Sequence, residues 1–235
     1  MELILILLAA IAPGAFLLYS IYDKDNLQQE PIGQIGKGFL YGVCSALVAM
    51  VFALIPTVIS SYIDIPFWSQ LFDAFFCAAL PEELAKLMML WLLLKNNKYF
   101  DEYFDGIVYA VSISMGFATL ENILYLLSDE AWISTGIARG LISVPGHYGF
   151  SVLMGYYYSL YHFKHIPNLE RVKCMILLAP VLAHGIFDAL LMLAGIADSG
   201  GAVIMLVFFV FVNNLRKKRQ EKITELIRID KTTLE

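Results

Sequence analysis

The feature that most limits what this chain can become is a succession of apolar blocks, each about 18 to 25 residues long, joined by short polar connections. A helix rises about 1.5 Å per residue, so about 20 such residues cross a hydrocarbon layer of about 30 Å. No water in that layer satisfies backbone N–H and C=O groups, and each block must therefore close its hydrogen bonds internally, as a helix. With 59% hydrophobic and 16% charged residues and a mean hydropathy of +0.70, the 235 residues leave nothing of useful size for a soluble domain. The pattern predicts an all-α, polytopic transmembrane bundle forming one integral membrane domain over residues 1–235.

Spans are expected near residues 3–22, 38–60, 74–94, 105–127, 146–163, 173–195 and 201–215, seven crossings in all. Lys24 and Lys37, Lys95 and Lys98, Lys164, Arg171 and Lys173, and the run Arg216–Arg219 make every second connection basic. Asp64, Asp129, Glu130 and Asp198 occupy the others, so the positive-inside rule puts the N-terminus outside and the C-terminus in the cytoplasm. The net charge of −5 adds little to that, and nothing in it points to nucleic acid. Residues 131–144 read as an interfacial or re-entrant helix entering the fifth span through a break at Pro145-Gly146. The N-terminal run follows Glu2 and lacks the basic start of a cleaved signal, which marks it as a retained span. Cys44, Cys77 and Cys174 stand alone in apolar stretches and read as packing residues, and 216–235 reads as a basic cytoplasmic tail that anchors the topology, in which Arg216–Arg228 could continue the last span as an amphipathic helix.

Against this background several polar residues are out of place. The third span reads LPEELAK, with Glu82, Glu83 and Lys86 inside an apolar block. An ionisable group at mid-bilayer costs about 2.5–3.5 kcal/mol on insertion scales, so it needs a partner or a function. Adjacent glutamates point about 100° apart on a helix, which lets one be held by Lys86 while the other faces a wet cavity. The fourth span carries Glu121 and Asn122, with Phe117 one turn before on the face of Glu121. The sixth places His184 and Asp188 four apart, stacked on one face, and His147 lies beside Pro145. His162 and His165, near the end of the fifth span, read as interfacial residues. Under the expected topology Glu82, Glu121, His184 and Asp188 share the outer half of the membrane, about 10–15 Å below its surface by helical rise. Each group also has a purely structural reading, as an ion pair or hydrogen bond fixing helix packing.

Carboxylates and imidazoles sharing a pocket of low dielectric suit amide hydrolysis: a glutamate activates water, and a histidine stabilises the oxyanion or protonates the leaving amine. The serine elbow GxSxG, the zinc motif HExxH and a GxGD aspartate pair are all absent from the sequence. Taken in order, EELAK (82–86), FATLEN (117–122), the His147 segment and HGIFD (184–188) resemble the PrsW family of bacterial intramembrane proteases over about residues 70–195. That family is similar in turn to the CAAX-type prenyl endopeptidases, from whose pattern this chain departs in having Lys86 one residue earlier than their arginine and Glu121 where they have a histidine.

The resemblance implies a multi-pass protein of the bacterial cell membrane and a glutamate-type protease. Its implied substrate is a single-pass membrane protein, an anti-sigma factor of the RsiW type, cut on the extracellular side in a stress response. It implies catalytic roles for Glu82, Glu83, His184, Glu121 and His147, supported by Lys86, Asn122, Asp188 and Phe117. Two glutamates and two histidines also suit zinc. A mechanism without a cofactor is the preferred expectation, because adjacent glutamates diverge on a helix. A proton- or cation-coupled transporter is the competing function, since buried Glu, Asp and His also relay protons.

Overall fold

The computed structural model describes residues 1–25, 27–164 and 167–234, so His165 lies outside the described residues. The protein is an all-α transmembrane bundle, with no strand among the described residues. Helices α1 (Glu2–Tyr22) and α2 (Ile32–Ser60) are followed by α3 (Pro66–Phe72), which passes through a wide π turn at Asp73–Ala79 into α4 (Leu80–Leu94). After α5 (Asp105–Ser128), α6 (Trp132–Ala138) passes through a second π turn at Arg139–Ser143 into α7 (Val144–His162). The chain ends with α8 (Leu169–Ile196) and α9 (Gly201–Leu234). Four described helices, α1, α2, α5 and α8, are long and apolar enough to cross a membrane.

Helix α5 is the hub, buried on all sides from Asp105 to Thr119, with α1, α2 and α7 around it. Its seam with α2 is backbone on backbone: a Cβ on Gly42 would stand 1.9 Å from the Ile113 carbonyl oxygen, and one on Gly116 would stand 2.0 Å from that of Phe39. Glycine lets two membrane helices approach this closely and gain dispersion contacts where lipid offers no hydrophobic drive. Large apolar side chains such as Leu40, Ile55, Leu206 and Val210 are more than 60% exposed on the outside of the bundle, as a lipid-facing surface requires. Cys44 and Cys174 are exposed there too, and so do not pack between helices as the sequence suggested.

Both π turns end just before a proline, Pro81 or Pro145. Proline has no N–H to donate and its ring crowds the carbonyl four residues earlier, and a widened turn absorbs both effects without ending the helix. This overturns the expected break at Pro145-Gly146. Residues 132–162 form one continuous helical rod.

The connections at one end of the bundle meet. Gln28 donates to both Asp101 carboxylate oxygens at 3.2 and 3.3 Å, and Asp230 accepts from the backbone N–H groups of Tyr103 (2.8 Å) and Phe104 (2.9 Å). The Phe163 ring lies 5.1 Å from that of Phe100. Lys24, Lys95, Lys98 and Lys164 therefore belong to a common end. The segment after Leu215 is not a free tail. It continues α9 along α7, with Arg219 over the Tyr148 ring at 4.6 Å and Lys222 donating to the Tyr156 hydroxyl at 2.9 Å. Leu215, Ile223, Leu226 and Asp230 make one buried face of an amphipathic helix, and burying that face holds the segment down.

Candidate active site

Four elements bring the polar residues together midway along the bundle. Helix α4 supplies Glu82, Glu83 and Lys86 in its first two turns, directly after the π turn, and α7 supplies His147 directly after the other. Helix α5 contributes Phe117 and Glu121, and α8 contributes His184 and Asp188.

Lys86, 2% exposed, is the centre of this cluster. Its Nζ lies 2.8 Å from Glu83 Oε1, 3.4 Å from Glu82 Oε2 and 3.3 Å from His147 Nδ1, and it sits 4.0 Å above the Phe117 ring. An ammonium group makes three donations and has no acceptor, so His147 Nδ1 receives and its Nε2 is left to donate to Glu121 Oε2 at 2.9 Å. His184 directs Nδ1 to Glu83 Oε1 at 2.9 Å and Nε2 to Asp188 Oδ2 at 3.2 Å. Its ring stacks on Phe150 with centroids 4.6 Å apart and an interplanar angle of 17°, which fixes its plane.

The two glutamates differ. Glu83 is completely buried and held by Lys86 and His184 through Oε1, while its Oε2 has no partner. Glu82 is partly exposed, is held only by the longer Lys86 contact, and stands 3.9 Å from His184 Nε2. A groove of about 370 Å³ opens from Glu82 and Glu121 between α2 and α5, floored by Ala46, Ala49 and Ala53 and extending to Ser128. The three alanines leave room where larger side chains would close it.

Arg139, in the π turn before α7, is a member of the site that the sequence reading left out. Its Nη2 lies 2.7 Å from Glu121 Oε2, within ion-pair distance though not aligned as a hydrogen bond. Its Nε donates to Asn122 Oδ1 at 2.7 Å, and its guanidinium covers the Tyr125 ring at 4.1 Å. The available signal was a lone arginine in an apolar, glycine-rich segment, which needs a carboxylate partner as much as Glu82 needs a cation. Asn122 faces away from the cluster, donating to the Ala10 carbonyl at 3.2 Å, and reaches it only through Arg139. His162 lies tilted against Phe100 at the far end, away from the cluster.

Glu82, Glu83, His147 and His184 each bring a ligand atom within 4.8 Å of the others. The expected divergence of neighbouring glutamates does not keep their oxygens apart, because the long side chains bend back toward one point. Four carboxylates (Glu82, Glu83, Glu121, Asp188) face two permanent cations (Lys86, Arg139), so a divalent ion would restore balance. Two imidazoles and two carboxylates are a donor set that zinc accepts, provided the Lys86 ammonium withdraws. By donor chemistry and spacing, the residues fit a metal.

Residues 30–214 match the family described as PrsW family intramembrane metalloprotease. Protease PrsW of Clostridioides difficile (strain 630) is 35% identical over 209 residues, covering 87% of this chain and 85% of that protein. Protease PrsW of Geobacillus kaustophilus (strain HTA426) is 38% identical over 184 residues, 78% of each chain. Protease PrsW of Bacillus subtilis (strain 168) is 33% identical over 231 residues, covering 95% of this chain and 99% of that one. No solved structure matches.

Proposed function

Because the chain belongs to the PrsW family of intramembrane proteases and is a multi-pass membrane protease, we propose that the Lys86-centred cluster is its hydrolytic centre. The α2–α5 groove then receives a single-pass membrane substrate. The observation that carries this reading is that Glu82, held at 3.4 Å by Lys86, lies where the buried cluster opens into the groove.

Each residue then has a task. Glu82 takes a proton from water as the water oxygen attacks the scissile carbonyl, and returns it to the leaving amine. His184 is oriented by Glu83 on Nδ1 and by Asp188 on Nε2, and its Nε2–H, 3.9 Å from Glu82, shifts from Asp188 toward the oxyanion as that charge develops. His147 and Arg139 fix Glu121 at the mouth of the groove, and Glu83 holds Lys86 in place. Glu83, His147 and His184 would hold a metal, with Glu82 kept as the base. A zinc ion there would make a bound water more acidic and polarise the scissile carbonyl.

The groove ends at Ser128, away from the end where the basic connections gather. Applying the positive-inside rule to those connections makes the Ser128 end extracellular, so the substrate enters from outside. The substrate we put forward is an anti-sigma factor of the RsiW type, the class implied by the motif resemblance. Family membership sets the transporter reading aside.

The test is co-expression with a tagged single-pass substrate of that type, comparing wild type with Glu82→Gln, Glu83→Gln and His184→Ala at equal membrane abundance. Cleavage in wild type, lost in all three variants, supports the assignment. Cleavage that survives all three refutes it.

A further inference from the structure

A second cluster of carboxylates lies at the opposite end of α5 from the groove mouth. Asp25 from the α1–α2 connection, Glu102 from the α4–α5 connection and Asp105 at the start of α5 each place one oxygen within 4.8 Å of the others. They are 1%, 8% and 1% exposed. Acidic groups this close normally face water or a cation. Here one oxygen of each is left over: Asp25 Oδ2, Glu102 Oε2 and Asp105 Oδ1 are all buried without a hydrogen-bond partner.

The surrounding structure fixes these oxygens in place. Asp105 Oδ2 accepts from the backbone N–H groups of Asp101 (3.1 Å) and Glu102 (2.7 Å), and the Asp25 carboxylate accepts from the backbone N–H of Glu30. Each of these two aspartates is thus anchored by one oxygen while the other has no hydrogen-bond partner. Glu30, 3% exposed, accepts from the Tyr109 hydroxyl, and Asp230, also 3% exposed, caps the backbone of Tyr103 and Phe104. A cavity of about 290 Å³, lined by Asp25, Glu102 and Asp230 with Lys24 and Lys231 at its margin, adjoins the cluster and gives water and ions a way in.

We propose that Asp25, Glu102 and Asp105 form a binding site for a hard divalent cation, separate from the hydrolytic cluster. Donors are oxygen only, which selects ions of the Mg²⁺ and Ca²⁺ class over zinc. An oxygen separation of up to 4.8 Å matches two ligands across a Ca²⁺ ion at about 2.4 Å each, and Mg²⁺ needs a small contraction and waters from the cavity. The site would clamp the α1–α2 connection to the start of α5, and through Asp230 to the end of α9. It thereby steadies the helix that carries Glu121.

The experiment uses the full chain, purified in detergent and stripped with chelator, with thermal unfolding followed during titration with MgCl₂, CaCl₂ or MnCl₂ against NaCl at matched ionic strength. The expected result is a rise in Tm of about 5 °C or more near a hundredfold excess over Kd. That rise is absent in Asp25→Asn/Glu102→Gln and retained in Glu82→Gln. The order of response among the ions identifies the class. Terbium luminescence sensitised by the nearby Tyr103 and Tyr109 reads binding directly, and Asp25→Asn alone serves if the double variant does not fold. No divalent-specific rise, or a rise and terbium signal unchanged in the Asp25 and Glu102 variants, overturns the proposal. Either outcome leaves the protease assignment untouched, because Glu82, Glu83 and His184 are read by a separate cleavage assay.

Discussion

Replacing Lys86 by methionine tests the electrostatic centre of the site. The ammonium lies 2.8 Å from Glu83 Oε1 and 3.4 Å from Glu82 Oε2, and Lys86 and Glu83 are 2% and 0% exposed. At an effective dielectric of about 20, Coulomb's law gives about 6 and about 5 kcal/mol of gross attraction for these contacts, before desolvation is subtracted. Removing one partner of a buried pair leaves the other uncompensated and costs about 3–5 kcal/mol. Glu83 would be left with only His184 on Oε1 and nothing on Oε2. In chelator, Lys86→Met should therefore lower the unfolding midpoint by on the order of 10 °C. Glu83→Gln added to it should recover much of the loss, a coupling of about 2 kcal/mol or more. The assay is a double-mutant cycle of unfolding in mixed micelles. If Glu83, His147 and His184 hold zinc, adding zinc should raise the midpoint of Lys86→Met and leave that of the double variant less affected. A single-variant loss under about 1 kcal/mol, or no coupling, would refute the claim that this ion pair organises the site.

Arg139→Gln should reduce cleavage at least about tenfold and lower stability by about 1–3 kcal/mol, because Glu121 and Asn122 lose a shared charged donor; kinetics and melting of the purified variant measure both. Gly42→Ala should fail to assemble or melt far below wild type, since its Cβ meets the Ile113 carbonyl at 1.9 Å, whereas Gly33→Ala, with nothing within 4 Å, should match or slightly exceed wild type. For pH, the sign follows from Asp25 near 6 and Glu30 and Glu102 near 7, all raised above their ordinary values. The folded state keeps protons that the unfolded chain releases, so divalent-free protein should lose stability between about pH 5 and 8. Melting scans across that range would contradict this by showing a rise.

Much of the site was legible because charge inside an apolar span is an energetic anomaly that sequence displays directly. Glu82, Glu83, Lys86, Glu121, His147, His184 and Asp188 could all be picked out, and their helical spacing indicated which shared a face. Their mutual distances could not be read, because side-chain convergence across four helices depends on packing. The argument from diverging glutamates failed for the same reason: it counted Cβ directions and ignored the reach of two long side chains. The continuity of residues 132–162 was hidden because proline usually marks a break, and only the backbone shows that a π turn has absorbed it. Arg139 was passed over with its segment, which was read as interfacial or re-entrant and not as part of the bundle that carries the site. The amphipathic continuation of α9 beyond Leu215 was open to the sequence, but the partner that buries Ile223, Leu226 and Asp230 was not.

The most direct test of the central claim is cleavage of a single-pass substrate by purified protein in liposomes, comparing wild type with Glu82→Gln. Loss of a general base predicts a rate lower by about 10²–10⁴ with wild-type melting and substrate binding. Glu82→Gln protein that cuts the same bond at a rate near wild type would contradict the account.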